Sequence, residues 1–527
     1  MKQMIENALK KKWVKEITVI IFAYFIIHGF LLLLTGTFWD DWLYYFHDIP
    51  TANMAGWESG RPYYSWVIET VWILPGYGYR VLSFFTYLLS YLFIYGSFYS
   101  IKSTRNKKAL YITLICMALP INDARLLLSN YPYAMGMLLF WGGCFVLTHN
   151  IHRLNNALIR FGVLLLFFLS FTLNSNLALY GIVIAYLIIY RGTKRIYTLL
   201  DFIILPIAFY ITNQMLFPVY GAYEDYNVVT VDKVLWSIIA IPEMVLKSIT
   251  SIFSAICKEN LFIWIGLITV GVTILIKILN KKYQHNESVQ KRFLDYDGES
   301  IQANKLDALI FSCGLITLLL GLFPYVVVRQ DSSIAMTGIQ GRDSMQIGIG
   351  IALVFVGGIN RKIQEYITLF IVVFGALHFN MCYLTYQSEW YLQLALQNRI
   401  VGVESVERGG NFVVYCSQDF GLDDRRLYTW SGLVADATGN RNCFFMDGDK
   451  DKYVINNSEI MDSILSHYPM YSEYVYDHTS IDGRITITTY FTLSNTVCLK
   501  YYEYFDHDKF NYYINELSDV EFCAELE

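Results

Sequence analysis

The 527-residue sequence predicts an α-helical polytopic membrane protein with about eleven transmembrane helices, followed by a C-terminal soluble domain of α/β or α+β type. Three observations predict it. Composition is 55% hydrophobic and 17% aromatic but only 16% charged, too few charges to coat a soluble protein of this length. Apolar runs near the length of a bilayer crossing recur over residues 1–384, separated by short basic loops. From residue 385 the texture changes, and residues 385–527 carry 23 acids against 10 bases, leaving the preceding part at +8 within a total of −5. Lys and Arg are sparse where a nucleic-acid binder would concentrate them, so nucleic acid is excluded as a partner.

The apolar runs fall near 17–37, 79–100, 109–122, 131–148, 160–174, 177–190, 197–217, 260–278, 307–327, 345–359 and 366–384. Basic clusters lie between them: Lys10, Lys11, Lys12 and Lys15, then Lys102, Arg105, Lys107 and Lys108, then Arg153 and Arg160. Arg191, Lys194 and Arg195 follow, then Lys281, Lys282, Lys291 and Arg292, and finally Arg361 and Lys362. Basic loops stay in the cytoplasm, which places the amino terminus inside and the C-terminal domain outside. Two further apolar stretches are not counted as crossings. Pro62 to Leu74 is too short, and Val234 to Cys257 is interrupted by Pro242 and Glu243 and reads as an outer-surface or re-entrant helix. No small-residue cleavage site follows the first run, so it reads as an uncleaved anchor.

In the tail, short β-rich runs (Asn411 to Cys416, Arg484 to Phe491) alternate with helical ones (Asp423 to Ala437, Ser458 to His467). Cys416, Cys443, Cys498 and Cys523 have no metal-ligand spacing; they permit two disulfides without requiring them. The tail's many tyrosines suit sugar stacking, but ordinary strand and core packing accounts for them more simply.

Charge near a bilayer is costly, so the acids and bases placed on the outer side are the informative ones. The first outer loop begins Phe38-Trp39-Asp40-Asp41-Trp42 and later reads Trp57-Glu58-Ser59-Gly60-Arg61-Pro62. Neighbouring carboxylates repel, which lifts the pKa of one and suits it to act as a base toward a hydroxyl while the other orients substrate. The pair also suits a divalent cation, Mg²⁺ or Mn²⁺. Pro62 opens a helix at its first position and holds Arg61 near lipid phosphates, whose oxygens a guanidinium binds in pairs. Asp123 with Arg125, Arg329 with Asp331, and Arg342 with Asp343 give each of three further outer loops an Arg beside an acid. Each pair taken singly reads equally well as a tie between loops. Together with Asp40, Asp41, Glu58 and Arg61 they describe a site for an anionic lipid headgroup.

An Asp pair directly after the first helix, then Gly60-Arg61-Pro62 and a surface helix, resembles the polytopic GT-C glycosyltransferases. Within them it is most similar to the bacterial glucosyltransferases that decorate O-antigen and related surface polymers. Leu128-Ser129-Asn130-Tyr131-Pro132-Tyr133 and Asn174-Ser175-Asn176 carry the likeness more weakly. The resemblance implies inverting transfer of a sugar from a polyprenyl-phosphate donor to a cell-surface glycan acceptor, at the outer face of a bacterial cell membrane, with Asp40 or Asp41 as base. The acidic extension departs from the compact members and leaves the acceptor open. Two other readings stand beside this one. A lipid-linked oligosaccharide ligase or polymerase would release polyprenyl pyrophosphate, and a transporter would need ionisable groups at mid-membrane, whereas here charge gathers at the outer helix ends.

Overall fold

The computed structural model describes residues 12–46, 54, 56–74, 76–101, 104, 107–191, 196–224, 228–257, 268–271, 299–328, 345–418, 427–440, 443–448 and 482–523. In chain order the first helices are α1 (Lys12–His28, continued by a 3₁₀ turn Gly29–Leu33), α2 (Asp41–Phe46), α3 (Pro62–Trp72), α4 (Gly78–Ser100), α5 (Lys108–Ala118) and α6 (Tyr131–His149). Then come α7 (Ala157–Ser170), α8 (Asn174–Arg191), α9 (Ile196–Leu216), α10 (Val231–Cys257), α11 (Glu299–Val327), α12 (Ile347–Gly358) and α13 (Arg361–Ile400).

Among the described residues six helical stretches are long and apolar enough to cross a membrane: 12–33, 78–100, 131–149, 199–216, 306–327 and 363–400. Four more expected crossings appear as shorter apolar helices, α5, α7, α8 and α12, and of the 260–278 run only residues 268–271, which are helical, are described. The expected eleven therefore become six of spanning length. Pro62 does open α3, and the 234–257 stretch is helical through Pro242.

Ionic contacts gather several helix ends together. Glu16 near the start of α1 accepts from Tyr95 near the end of α4 (2.6 Å), Lys108 at the start of α5 pairs with Asp307 on α11, and Lys107 lies 3.5 Å from Glu365 at the start of α13. Further along, α11 and α12 meet through glycines: a Cβ on Gly314 would stand 2.6 Å from Val354 N, and one on Gly350 2.7 Å from Leu318 Cγ. Small residues let the two backbones approach this closely.

The C-terminal part begins without a break. Composition shifts at 385, but α13 runs on to Ile400, and its last turns (Tyr386, Tyr391, Leu392, Ala395, Leu396, Ile400) are fully buried. After α14 (Glu404–Arg408) come β1 (Gly410–Cys416), α15 (Leu427–Thr438), β2 (Cys443–Asp447), β3 (Gly483–Thr489), α16 (Leu493–Phe505), α17 (His507–Glu516) and β4 (Ser518–Cys523). The strands form one sheet in the order β2-β1-β3-β4. β1 is parallel to both neighbours, Gly410 opposite Cys443 and Phe412 opposite Gly483, and β4 is antiparallel to β3. The expected strands and the first expected helix are thus present, while Ser458 to His467 lies outside the described residues. Cys416, Cys443, Cys498 and Cys523 are all free thiols.

This domain docks on the exit of the first span. Thr35 donates to Glu503 (2.8 Å) and accepts from Lys500 and Gln387 (both 2.9 Å), Tyr504 donates to the Leu33 carbonyl (3.1 Å), and Trp42 donates to Gln393 (3.3 Å). Burial pulls the Lys500 ammonium down to about 8 against the opposing pull of Glu503.

Candidate functional site

The chain leaves the first span extended, turns at Trp39 (φ +49°) and enters α2, with Asp41 N–H donating to the Phe38 carbonyl (3.1 Å). The two adjacent acids then part company. Asp41 is fully buried, and its two oxygens accept the backbone N–H groups of Leu128 and Ser129, each at 2.9 Å. Tyr79 donates to the same carboxylate at 3.3 Å. Burial lifts the Asp41 carboxyl to about 6, against the lowering effect of those N–H donors and of Arg80. Asp40 is half-buried, so part of its side chain faces solvent.

Arg80, one residue after Tyr79 in the first turn of α4, fastens this region from behind. Its guanidinium donates to the carbonyls of Leu34 (2.8 Å), Gly36 and Leu126 (3.2 Å) and lies 4.5 Å from the Tyr77 ring centroid. Two stretches of backbone, residues 34–36 and Leu126, are held by one side chain.

Arg61 is the N-cap residue of α3, and its helix reaches the segment that holds Asp41: Tyr64 donates to the Ser129 carbonyl, and Tyr63 donates to the Thr172 carbonyl (3.0 Å). Ser129 thus donates its N–H to Asp41 and accepts at its carbonyl from Tyr64 of α3. The Arg61 side chain lies within electrostatic range of Tyr63, Tyr64, Tyr133 and Tyr325. Among the described residues its guanidinium makes no hydrogen bond or ion pair. The preceding turn is fixed against the end of α9, where Asn213 donates to the Gly60 carbonyl (3.2 Å) and Tyr220 N–H to the Glu58 carbonyl (3.0 Å). Glu58 is buried with its carboxylate against Gly221.

Asp123 and Arg125 lie on a buried 3₁₀ turn. The Arg125 guanidinium donates to the carbonyls of Asn122 (3.1 Å) and Ile121 (2.9 Å), meets His28 at 3.0 Å and covers the Phe379 ring (4.5 Å). Asp123 lies 3.2 Å from His378. Both residues are 2% exposed. Arg329, Arg342 and Asp343 lie outside the described residues. Asn176, in the more weakly resembling turn, donates to Gly136 and Ser170 carbonyls and accepts from Gln346 (2.7 Å), tying three helices together.

A divalent cation does not fit the acid pair as it stands. Both Asp41 oxygens face N–H donors, which a metal would have to displace, and among the described residues no group of three His, Cys, Asp or Glu side chains comes together.

Tyr79, Arg80 and the backbone of Leu128 and Ser129 were not foreseen from the sequence. The only signal for them there is an arginine in the first turn of an apolar helix, which reads as an interfacial anchor. No protein-family model matches the chain, and neither any curated protein nor any solved structure is significantly similar to it.

Proposed function

We propose that the chain is a membrane glycosyltransferase that moves a sugar, a hexose by its motif likeness, from a polyprenyl-phosphate donor to a hydroxyl of a cell-surface glycan. The observation that carries this reading is the convergence on Ser129: Asp41, next to Asp40, and Tyr64, three residues after Arg61, both bind it, and among the described residues the Arg61 guanidinium makes no hydrogen bond or ion pair. Asp40 is the base. It takes the proton of the acceptor hydroxyl, whose oxygen attacks the anomeric carbon as the bond from that carbon to the phosphate oxygen breaks. The phosphate departs with the bonding electrons, and Arg61 offsets its growing charge. Asp41 acts through its neighbour, fixing the loop to Leu128 and Ser129. Attack from the face opposite the phosphate inverts the anomeric centre.

The same reading puts the amino terminus in the cytoplasm and the C-terminal domain outside a bacterial cell membrane, because the basic loops then stay inside. The test is release of free polyprenyl phosphate from labelled polyprenyl-phosphate hexoses by the purified chain in proteoliposomes. Asp40→Asn should lose about 10²- to 10⁴-fold in rate while keeping the wild-type melting temperature. Wild-type turnover in that variant, or no release by the wild type from any such donor, contradicts the proposal.

A further inference from the structure

The C-terminal domain carries an exposed apolar stripe whose placement identifies its partner. On α16, Leu493, Val497, Tyr501, Tyr504 and Phe505 are 38%, 50%, 60%, 52% and 74% exposed. Their spacing of four, four, three and one residues puts them on one helix face. The flanking and opposite positions Lys500, Thr496 and Leu499 are buried against the rest of the protein, the Lys500 ammonium lying 5.0 Å from the Tyr504 ring centroid. The only charged side chains of α16, Lys500 and Glu503, pair with each other at 2.9 Å and bind Thr35 in the docking contact. The outward face of α16 therefore bears no charge, in a region whose net charge is strongly negative. A helix bathed in water on that side would carry its polar residues there.

Position decides what covers the stripe. Tyr504 hydrogen-bonds the carbonyl of Leu33, the last helical residue of the first span. On that span Val19 (46%), Phe22 (67%), Ile26 (48%) and Leu33 (46%) form an exposed apolar face. The bare face of the span thus ends where the bare face of α16 begins. Tyrosines next to aliphatic residues suit the headgroup layer, where ring and hydroxyl are each matched.

We infer that α16 lies in the lipid headgroup region, its Leu493–Phe505 stripe turned into the bilayer surface beside the first span, so that the acidic domain rests on the membrane instead of standing clear of it. This does not depend on the proposed activity. Such an arrangement clamps the Thr35–Trp42 loop between the bilayer surface and the sheet domain.

The experiment uses the full chain in phosphatidylcholine nanodiscs, with Cys498 and Cys523 changed to Ser and the residual label of that background subtracted. A nitroxide is placed in turn at Val497→Cys, Tyr501→Cys and Phe505→Cys, and at Asn515→Cys and Asp519→Cys as exposed controls on α17 and β4. The ratio of oxygen to nickel-chelate collision rates should be severalfold higher at 497, 501 and 505 than at 515 and 519. Equal chelate access at both sets would place the stripe in water and overturn the inference. Labels shielded from both colliders would overturn it too, by assigning the stripe to a protein partner or a second copy of the chain.

Discussion

Two regions of this molecule each hold aspartate and arginine side chains near the end of the first long apolar helix, and they use them differently. In the 121–126 turn both charges are engaged: Arg125 is spent on two carbonyls and His28, and Asp123 lies against His378. In the region of residues 38–64 the same kinds of side chain divide. Asp41 is spent on Leu128, Ser129 and Tyr79, whereas Asp40 keeps part of its surface open to solvent and the Arg61 guanidinium makes no hydrogen bond or ion pair among the described residues. A buried charge marks a reactive site only if hydrogen-bonding capacity is left over once the fold has been satisfied. Among the described residues that surplus lies at Arg61, and Asp40 is the less buried of the two adjacent acids.

The largest effects should come from removing spent charges. Arg80→Met and Arg125→Met each strand buried carbonyls, and each should cost about 3–5 kcal/mol, read as a fall in the thermal unfolding transition in detergent. A stable, monodisperse Arg125→Met protein would erase the contrast between the two regions. Next comes the titration of Asp41. Its carboxyl is raised from the ordinary 3.8 to about 6, so the protonated form is favoured on folding. The stability it supplies is complete below about pH 4 and is lost as pH rises through about 6, a swing of roughly 3 kcal/mol. The difference in unfolding free energy between wild type and Asp41→Asn, followed over that window, should show this slope; a flat difference would mean that Asp41 is not buried as described.

Gly36→Ala should have a smaller effect. Gly36 has φ +104°, a Cβ there would meet the Trp390 ring at 2.5 Å, and its carbonyl serves Arg80. A loss of about 1–3 kcal/mol is expected, together with faster proteolysis between the sheet domain and the helices. The smallest effects on stability belong to the two groups proposed to meet substrate: Asp40→Asn and Arg61→Gln should each stay within about 0.5 kcal/mol of wild type.

The helical body was legible in the sequence because apolar runs of spanning length are too costly to leave in water, and the start of α3 because proline suits a helix's first position. Charge density changes at residue 385, but nothing between Thr385 and Ile400 breaks a helix, so α13 joins both parts as one element. The acid pair could be found by its adjacency, yet the burial of Asp41 against Leu128 and Ser129 could not, since it depends on N–H groups 87 and 88 residues away. Arg125 looked equivalent to Arg61 in sequence. Its engagement with Ile121 and Asn122 follows from a left-handed turn at Asn122 (φ +62°) that composition does not announce.

Binding of polyprenyl phosphate, without sugar, to the full chain in nanodiscs tests the central claim most directly, comparing wild type with Arg61→Gln at equal melting temperature. The variant should lose at least about tenfold in affinity, corresponding to one charge-assisted contact of about 1.4 kcal/mol or more. Equal affinity in the two proteins would contradict the claim, because the unengaged arginine would then have no anionic ligand to hold.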